Sequence, residues 1–159
     1  MALEIIIRLA AVLVASLATG ALMVNWIGLA RAMARLSRSA YVEFHQASTQ
    51  TFDPYMPVVV FGAIFSGVAL AAVSPGLHTA SGALALAGAF CYAAVIAISL
   101  ATGVRINKSI AGWRIESPPE NWATIRARWI RFHILRTLIS VPALVCYNLS
   151  VLVAPIGEG

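Results

Sequence analysis

The sequence predicts an all-α fold, a four-helix transmembrane bundle with short amphipathic helices at its cytoplasmic end, and three observations predict it. Hydrophobic residues make up 60% of the 159 residues, and the mean hydropathy is +0.86, far outside the range of a water-soluble domain. The apolar residues gather into four runs of about 20, the length a helix needs to cross a hydrocarbon core of roughly 30 Å. The few charges, 11% of residues, fall mostly between those runs. Unpaired backbone groups are too costly in lipid for an open structure, so each run is read as a helix and residues 1–159 as one membrane domain.

The spans fall near 5–29, 55–74, 79–103 and 133–154, with connections 30–54 and 104–132 on one side of the membrane. Glu4 precedes Arg8 and no A-x-A site closes the first run, so it reads as a retained helix and not as a cleaved signal. The first connection holds Arg31, Arg35 and Arg38, then a short amphipathic helix over 39–50 with Tyr41, His45, Ser48 and Thr49 near one face. Asp53-Pro54 and Pro57 mark the start of the second span, where a first-turn proline loses no helical hydrogen bond. Ser74-Pro75-Gly76 ends it, leaving room only for an antiparallel hairpin.

Along the third span Ser81, Ala85, Ala89, Ala93, Ala97 and Ala101 put a small residue at every fourth position. Ser16 with Gly20, and Gly67 with Ala71, add small pairs to the first two spans. Small side chains let helices approach closely in lipid, within one bundle or between copies in a homo-oligomer. The last connection carries Arg105, Lys108, Arg114, Arg126, Arg128 and Arg131, with Arg136 just beyond. From the start signal Ser117-Pro118-Pro119-Glu120, a helix over 119–134 runs into the fourth span as one long element. Arg126, Trp129, His133 and Arg136 recur on it at spacings of three and four, which makes one polar and aromatic stripe.

The second connection carries no Lys or Arg, so the positive-inside rule puts the basic connections in the cytoplasm and both termini outside it. Arg8 is the one dissenter. Topology accounts for the formal charge of +5 and the pI of about 9.9, so no nucleic-acid partner is implied, and anionic membrane lipids are the expected partner.

Several groups that are expensive in hydrocarbon share one depth: Asn25 and Trp26 end the first span, Asn107 follows the third, and His133 with Arg136 opens the fourth. His45 joins them if its short helix folds back under the bundle. Polar residues at that depth face a bundle interior or a cavity, and are functional candidates. Bland roles compete: Trp26, Trp113, Trp122 and Trp129 suit an interfacial belt, Asn107 a helix cap, and Arg136 a snorkelling cation. Cys91 and Cys146 lie in apolar runs without C-x-x-C spacing, as buried inert thiols would. No G-x-S-x-G, Walker, G-x-G-x-x-G or H-E-x-x-H motif occurs, so hydrolase, nucleotide and zincin chemistry lack support. His78 falls in the second connection, away from the others. A metal held by His45, His133 and Glu43, or a haem on histidine ligands, stays open.

Val104-Arg105-Ile106-Asn107 leading to Trp113, then Pro118, Trp122, Arg126, Arg128-Trp129, Phe132-His133 and Arg136-Thr137, with Phe44-His45-Gln46 ahead of the second span, resembles the signature of the anthrone-oxygenase-like family of small membrane proteins. The resemblance implies the four-span fold and the oxygenation by O₂ of a hydrophobic, electron-rich aromatic phenol, with no evident metal or flavin cofactor. A bacterial inner membrane is the expected location. An anthrone's methylene proton is acidic because its anion is aromatic, so a base of near-neutral pKa can generate a carbanion that hands an electron to O₂. The expected catalytic residues are His133 and His45 as bases, Asn107 as a neutral donor to the developing phenolate, and Arg136 as its electrostatic support. Asn25, Trp26, Tyr41, Trp113 and Trp129 are the expected substrate contacts. His133 is the preferred base, because a long helix fixes it between Trp129 and Arg136, whereas His45 rides on a short helix expected to be mobile. The competing class is a non-enzymatic membrane scaffold or partner subunit.

Overall fold

A computed structural model describes residues 2–154; residue 1 and residues 155–159 lie outside the described residues. Five helices follow one another: α1 (Ala2–Met33), α2 (Arg38–Phe52), α3 (Met56–Ala72), α4 (Ala80–Ala111) and α5 (Trp122–Val153). No strand occurs among the described residues. Helices α1, α4 and α5 have 32 residues each and are long and apolar enough to cross a membrane. The 17 residues of α3 extend about 26 Å at the helical rise, and α2 meets α3 at a bend of 45°.

The helices overrun the spans expected from hydropathy. Helix α1 continues to Met33, α4 to Ala111, and α5 begins at Trp122. The connections 30–54 and 104–132 are therefore largely helical, with α1 passing through Gly28 and α4 through Gly103. The expected junction of the last connection with the fourth span as one long helix holds.

Interhelical hydrogen bonds fix the direction of each helix. At one end Ser81 Oγ donates to the Ser150 carbonyl at 2.9 Å and Ser150 Oγ donates to the Ser81 carbonyl at 2.8 Å. Nearer the middle, Tyr147 donates to the Ala63 carbonyl at 2.7 Å and Tyr92 to the Ala15 carbonyl at 2.9 Å. Thr19 then reaches the Ser140 carbonyl at 3.1 Å, and Thr137 the Leu22 carbonyl at 3.1 Å. Helix α4 thus runs alongside α1, and α5 runs antiparallel to both. In lipid these bonds join helices that the hydrophobic effect does not press together.

The Tyr147 ring occupies space left by two glycines. A Cβ on Gly67 would lie 1.8 Å from its hydroxyl, and one on Gly88 2.3 Å from its ring. The expected small-residue stripe of α4 holds only in its first half: Ser81, Ala85 and Ala89 are buried, but Ala93, Ala97 and Ala101 are exposed. A strict step of four overshoots the helical repeat by about 40° each time, so the buried face passes instead through Tyr92 and Val95. Ser16 and Gly20 are likewise exposed, and Ala11, Ala15 and Ala18 form the buried face of α1. The Gly67 and Ala71 pair is buried as expected.

Large apolar side chains such as Leu9, Phe65, Phe90 and Leu152 stand outward, the arrangement of a surface solvated by lipid chains. The dissenting Arg8 forms an ion pair with Glu4 one turn earlier, which neutralises it. Cys91 and Cys146 are half-buried free thiols, more open than the buried thiols expected.

Candidate functional site

At the basic end, charged and amide side chains fasten helix ends to one another. Arg126 Nη1 donates to the carbonyls of Met33 and Leu36, each at 3.1 Å, and so satisfies the free C-terminal carbonyls of α1. Its guanidinium also lies 4.6 Å from the Trp122 ring centre. Gln46 Nε2 donates to the carbonyls of Ile110 and Trp113 at 2.9 and 3.0 Å, doing the same for α4. Arg38 bonds the Pro118 carbonyl. Helix α2 is therefore tied to the rest of the fold from its first residue and from its middle. These three long-range bonds, which tie down the helix carrying His45, were invisible in local sequence.

Pinning α2 places His45 beside Asn107 and Trp129. Asn107 Oδ1 accepts from Trp129 Nε1–H at 2.9 Å and lies 3.2 Å from His45 Nε2, while its Nδ2 faces both carboxylate oxygens of Asp53 at 3.3 Å. An amide oxygen only accepts, so His45 Nε2 carries the proton and the lone pair resides on Nδ1. That Nδ1 is buried without a hydrogen-bond partner. Burial lowers the His45 pKa to about 4, with the Asn107 bond opposing the shift, and keeps the ring neutral. Behind it, burial raises the Tyr41 pKa, opposed by the Arg126 charge.

Trp129 carries the arrangement across to α5. Its ring lies 5.0 Å from His45 and 3.8 Å from His133, centre to centre. His133 is buried, and its Nδ1 has no hydrogen-bond partner among the described residues. One turn further, Arg136 Nη1 donates to Ser99 Oγ at 2.8 Å, and its Nε is buried without a partner.

These side chains border a cavity of about 170 Å³. Leu22, Leu29, Val60, Val95 and Ile96 give it apolar walls; Asn25, Asn107, Trp129, His133 and Arg136 give it a polar side, with Asp53 also on its lining. An apolar void of about 150 Å³ holds benzene, so a flat aromatic molecule suits this space. Two widened, π-helical turns flank it, Asn25–Ala30 in α1 and Ser99–Gly103 in α4. Such turns often re-aim side chains at functional sites.

Of the expected site residues, Asn25, Asn107, Trp129, His133 and Arg136 line this cavity; His45 does not, and meets it only through its contacts with Asn107 and Trp129. Asn107 is no helix cap: it lies inside α4, its Oδ1 accepts from two donors, and its Nδ2, the end that could donate to an oxyanion, faces Asp53. Trp26, Trp113 and Tyr41 do not line the cavity. Trp26 is half-buried elsewhere on α1, Trp113 packs in the apolar cluster at the basic end, and Tyr41 stacks behind His45 at 5.4 Å. Glu43 is exposed although His45 is buried, because residues two apart on a helix point to opposite sides. Among the described residues no group of three His, Cys, Asp or Glu is arranged to hold a metal ion. Asp53, Ser99 and the two π-helical turns were not anticipated. Asp53 reads as a turn residue and Ser99 as span filler, and only Asn25 and Gly103 hinted at irregular helix.

The family model described as anthrone oxygenase matches residues 44–146, more than half of the chain and the stretch that holds His45, Asn107, Trp129, His133 and Arg136. No curated protein and no solved structure matches it.

Proposed function

This chain belongs to the anthrone oxygenase family, and from that premise we propose that it is a membrane-embedded oxygenase that converts the methylene of a lipid-soluble, anthrone-like phenol to a carbonyl with O₂. The observation that carries the reading is the convergence of His133, Trp129 and Arg136 on one cavity flanked by π-helical turns. Apolar walls suit a fused aromatic, and the cavity's place among the helices suits a substrate dissolved in the bilayer.

In this reading His133 takes one methylene proton, having no competing hydrogen bond on Nδ1. The aromatic carbanion passes one electron to O₂, giving a carbon radical and superoxide, and the two combine to a peroxide that regains the proton. Loss of the second methylene hydrogen with cleavage of the O–O bond releases water and leaves C=O. One oxygen atom enters the product and the other enters water, so the four electrons lost by carbon reduce O₂ completely. No metal or flavin is required by this balance. His45, held neutral by burial and engaged with Asn107, positions the Trp129 wall. Arg136 supports the negative charge that spreads onto the phenol oxygen.

The protein is an integral membrane protein, and we place its basic end on the cytoplasmic face of a bacterial inner membrane. The clustering of Arg31, Arg35, Arg105 and Lys108 at that end supports this orientation. The test of function is oxygen uptake by the purified protein in lipid nanodiscs, with an anthrone and a metal chelator. One O₂ consumed per quinone formed, faster than protein-free nanodiscs, is expected. A rate equal to the protein-free rate returns the chain to the scaffold reading.

A further inference from the structure

Arg136 is a cation inside the bundle with most of its donors unspent. Of its five N–H groups, the described residues engage one, through Ser99 Oγ at 2.8 Å. Its Nε is buried without a partner. The ion pair found among the described residues joins Arg8 to Glu4, and Arg136 has no carboxylate within pairing distance. Asp53, the acidic residue on the cavity lining, is an exposed side chain whose oxygens face Asn107.

A half-buried guanidinium with one neutral hydrogen-bond acceptor, and only the more distant Asp53 carboxylate acting on its charge, is costly unless an anion meets it. The surroundings are shaped to admit one. Gly103 closes the widened turn of α4 opposite Arg136, and even a Cβ there would stay 3.6 Å from Nη1. The guanidinium thus lies against bare backbone on one side and borders the cavity on another. His133 is one turn away and Ser99 beside it.

We infer that the cavity takes its aromatic ligand as an oxyanion, a carboxylate or an ionised phenol, seated on Arg136 with the rings along the apolar wall of Val95 and Ile96. This deepens the oxygenase reading and rests on the same site, but it concerns the resting ligand and not the transition state. It separates ligands that the apolar walls alone would treat alike. A planar guanidinium fork favours a two-oxygen anion over a single charge-neutral donor or acceptor.

The experiment uses the full-length protein in nanodiscs of neutral lipid, under nitrogen, with anthracene probes that carry no methylene and are not oxygenated. Binding is read as energy transfer from protein tryptophan, corrected by protein-free nanodiscs. Anthracene-carboxylate is compared with its carboxamide, and a hydroxyanthraquinone above its phenol pKa with its methyl ether. At least one anion is expected to bind about tenfold to a hundredfold more tightly than its neutral partner, the effect of a charge-assisted hydrogen bond. The arm that shows the preference identifies the carboxylate or the phenolate. Arg136→Gln is expected to erase the preference, and Arg136→Lys to retain part of it. Equal binding of both anions and their neutral partners by the wild-type protein overturns the inference, and needs no variant to fold. A preference that survives intact in Arg136→Gln also overturns it. Because these probes do not turn over, an oxyanion preference stands even if oxygen uptake fails, and uptake with a neutral anthrone stands even if the preference is absent.

Discussion

The two ends of the bundle treat buried polar groups in opposite ways. In the half away from the basic connections, Tyr92, Tyr147, Ser81, Ser150 and Thr19 each bond a backbone or hydroxyl group on another helix. In the basic half, Tyr41 Oη, His45 Nδ1, His133 Nδ1 and Arg136 Nε are buried without partners among the described residues, and two of these residues, His133 and Arg136, line the cavity. Unpaired buried polar groups cost stability, and their concentration at one end coincides with the site proposed for the chemistry. The closed half holds the helices in register, and the open half places His133 and Arg136 on a cavity.

Substitutions should separate the halves. The largest stability loss is expected from Asn107→Leu, which strands the Trp129 and His45 donors that now share one oxygen. Each stranded donor costs about 1–3 kcal/mol, and thermal unfolding in detergent measures the sum. Next comes pH. The His45 pKa in the folded protein, about 4, lies below its ordinary value of 6.5, so the unfolded chain binds the extra proton between those values. Stability is then full above about pH 6.5, falls as pH drops towards 4, and levels below it, by up to about 3 kcal/mol. His45→Gln should flatten that slope in an unfolding series across pH.

In the closed half, Gly88→Ala pushes a methyl into the Tyr147 ring and the Ala143 carbonyl, 3.0 Å away. Overpacking of this kind costs about 1–3 kcal/mol, and it should lower the melting temperature without altering anthracene-probe affinity in the folded fraction. The smallest effect is expected for Tyr147→Phe, which loses one bond to Ala63 and about 1 kcal/mol, again with probe affinity unchanged. A change in probe affinity from either closed-half substitution would break the division of labour.

Much of this division was legible in sequence, for reasons that particular residues explain. Hydropathy picks out three long apolar helices, and a fourth span only if the bent pair α2 and α3 forms one, because lipid demands uninterrupted apolar helix; the spacing from Arg126 to Arg136 on one helix places the polar stripe inward. The fastening of α2 was not legible, since Gln46 reaches Ile110 and Trp113 across the fold. Asn107 could be flagged by its cost in lipid, but not assigned: only the positions of Trp129 and His45 at its oxygen and of Asp53 at its nitrogen show that both ends of its amide are engaged. The lower stripe of α4 was misread because Ala is small on either face, and a step of four drifts away from the buried one. Tyr92 and Tyr147 gave no signal at all, since an interfacial tyrosine and a helix-joining tyrosine look alike until the opposing carbonyl is known.

The most direct test of the account is the rate of anthrone oxygenation by His133→Ala and His45→Ala proteins, each matched to wild type in folded, inserted protein and corrected for autoxidation. Removing a general base costs about 10² to 10⁴ in rate, and that loss is predicted for His133→Ala, while His45→Ala, which loses a positioning contact, retains a measurable enzymatic rate. Wild-type rates in His133→Ala would contradict the assignment of the base and the claim that the open half of the bundle is the site of chemistry.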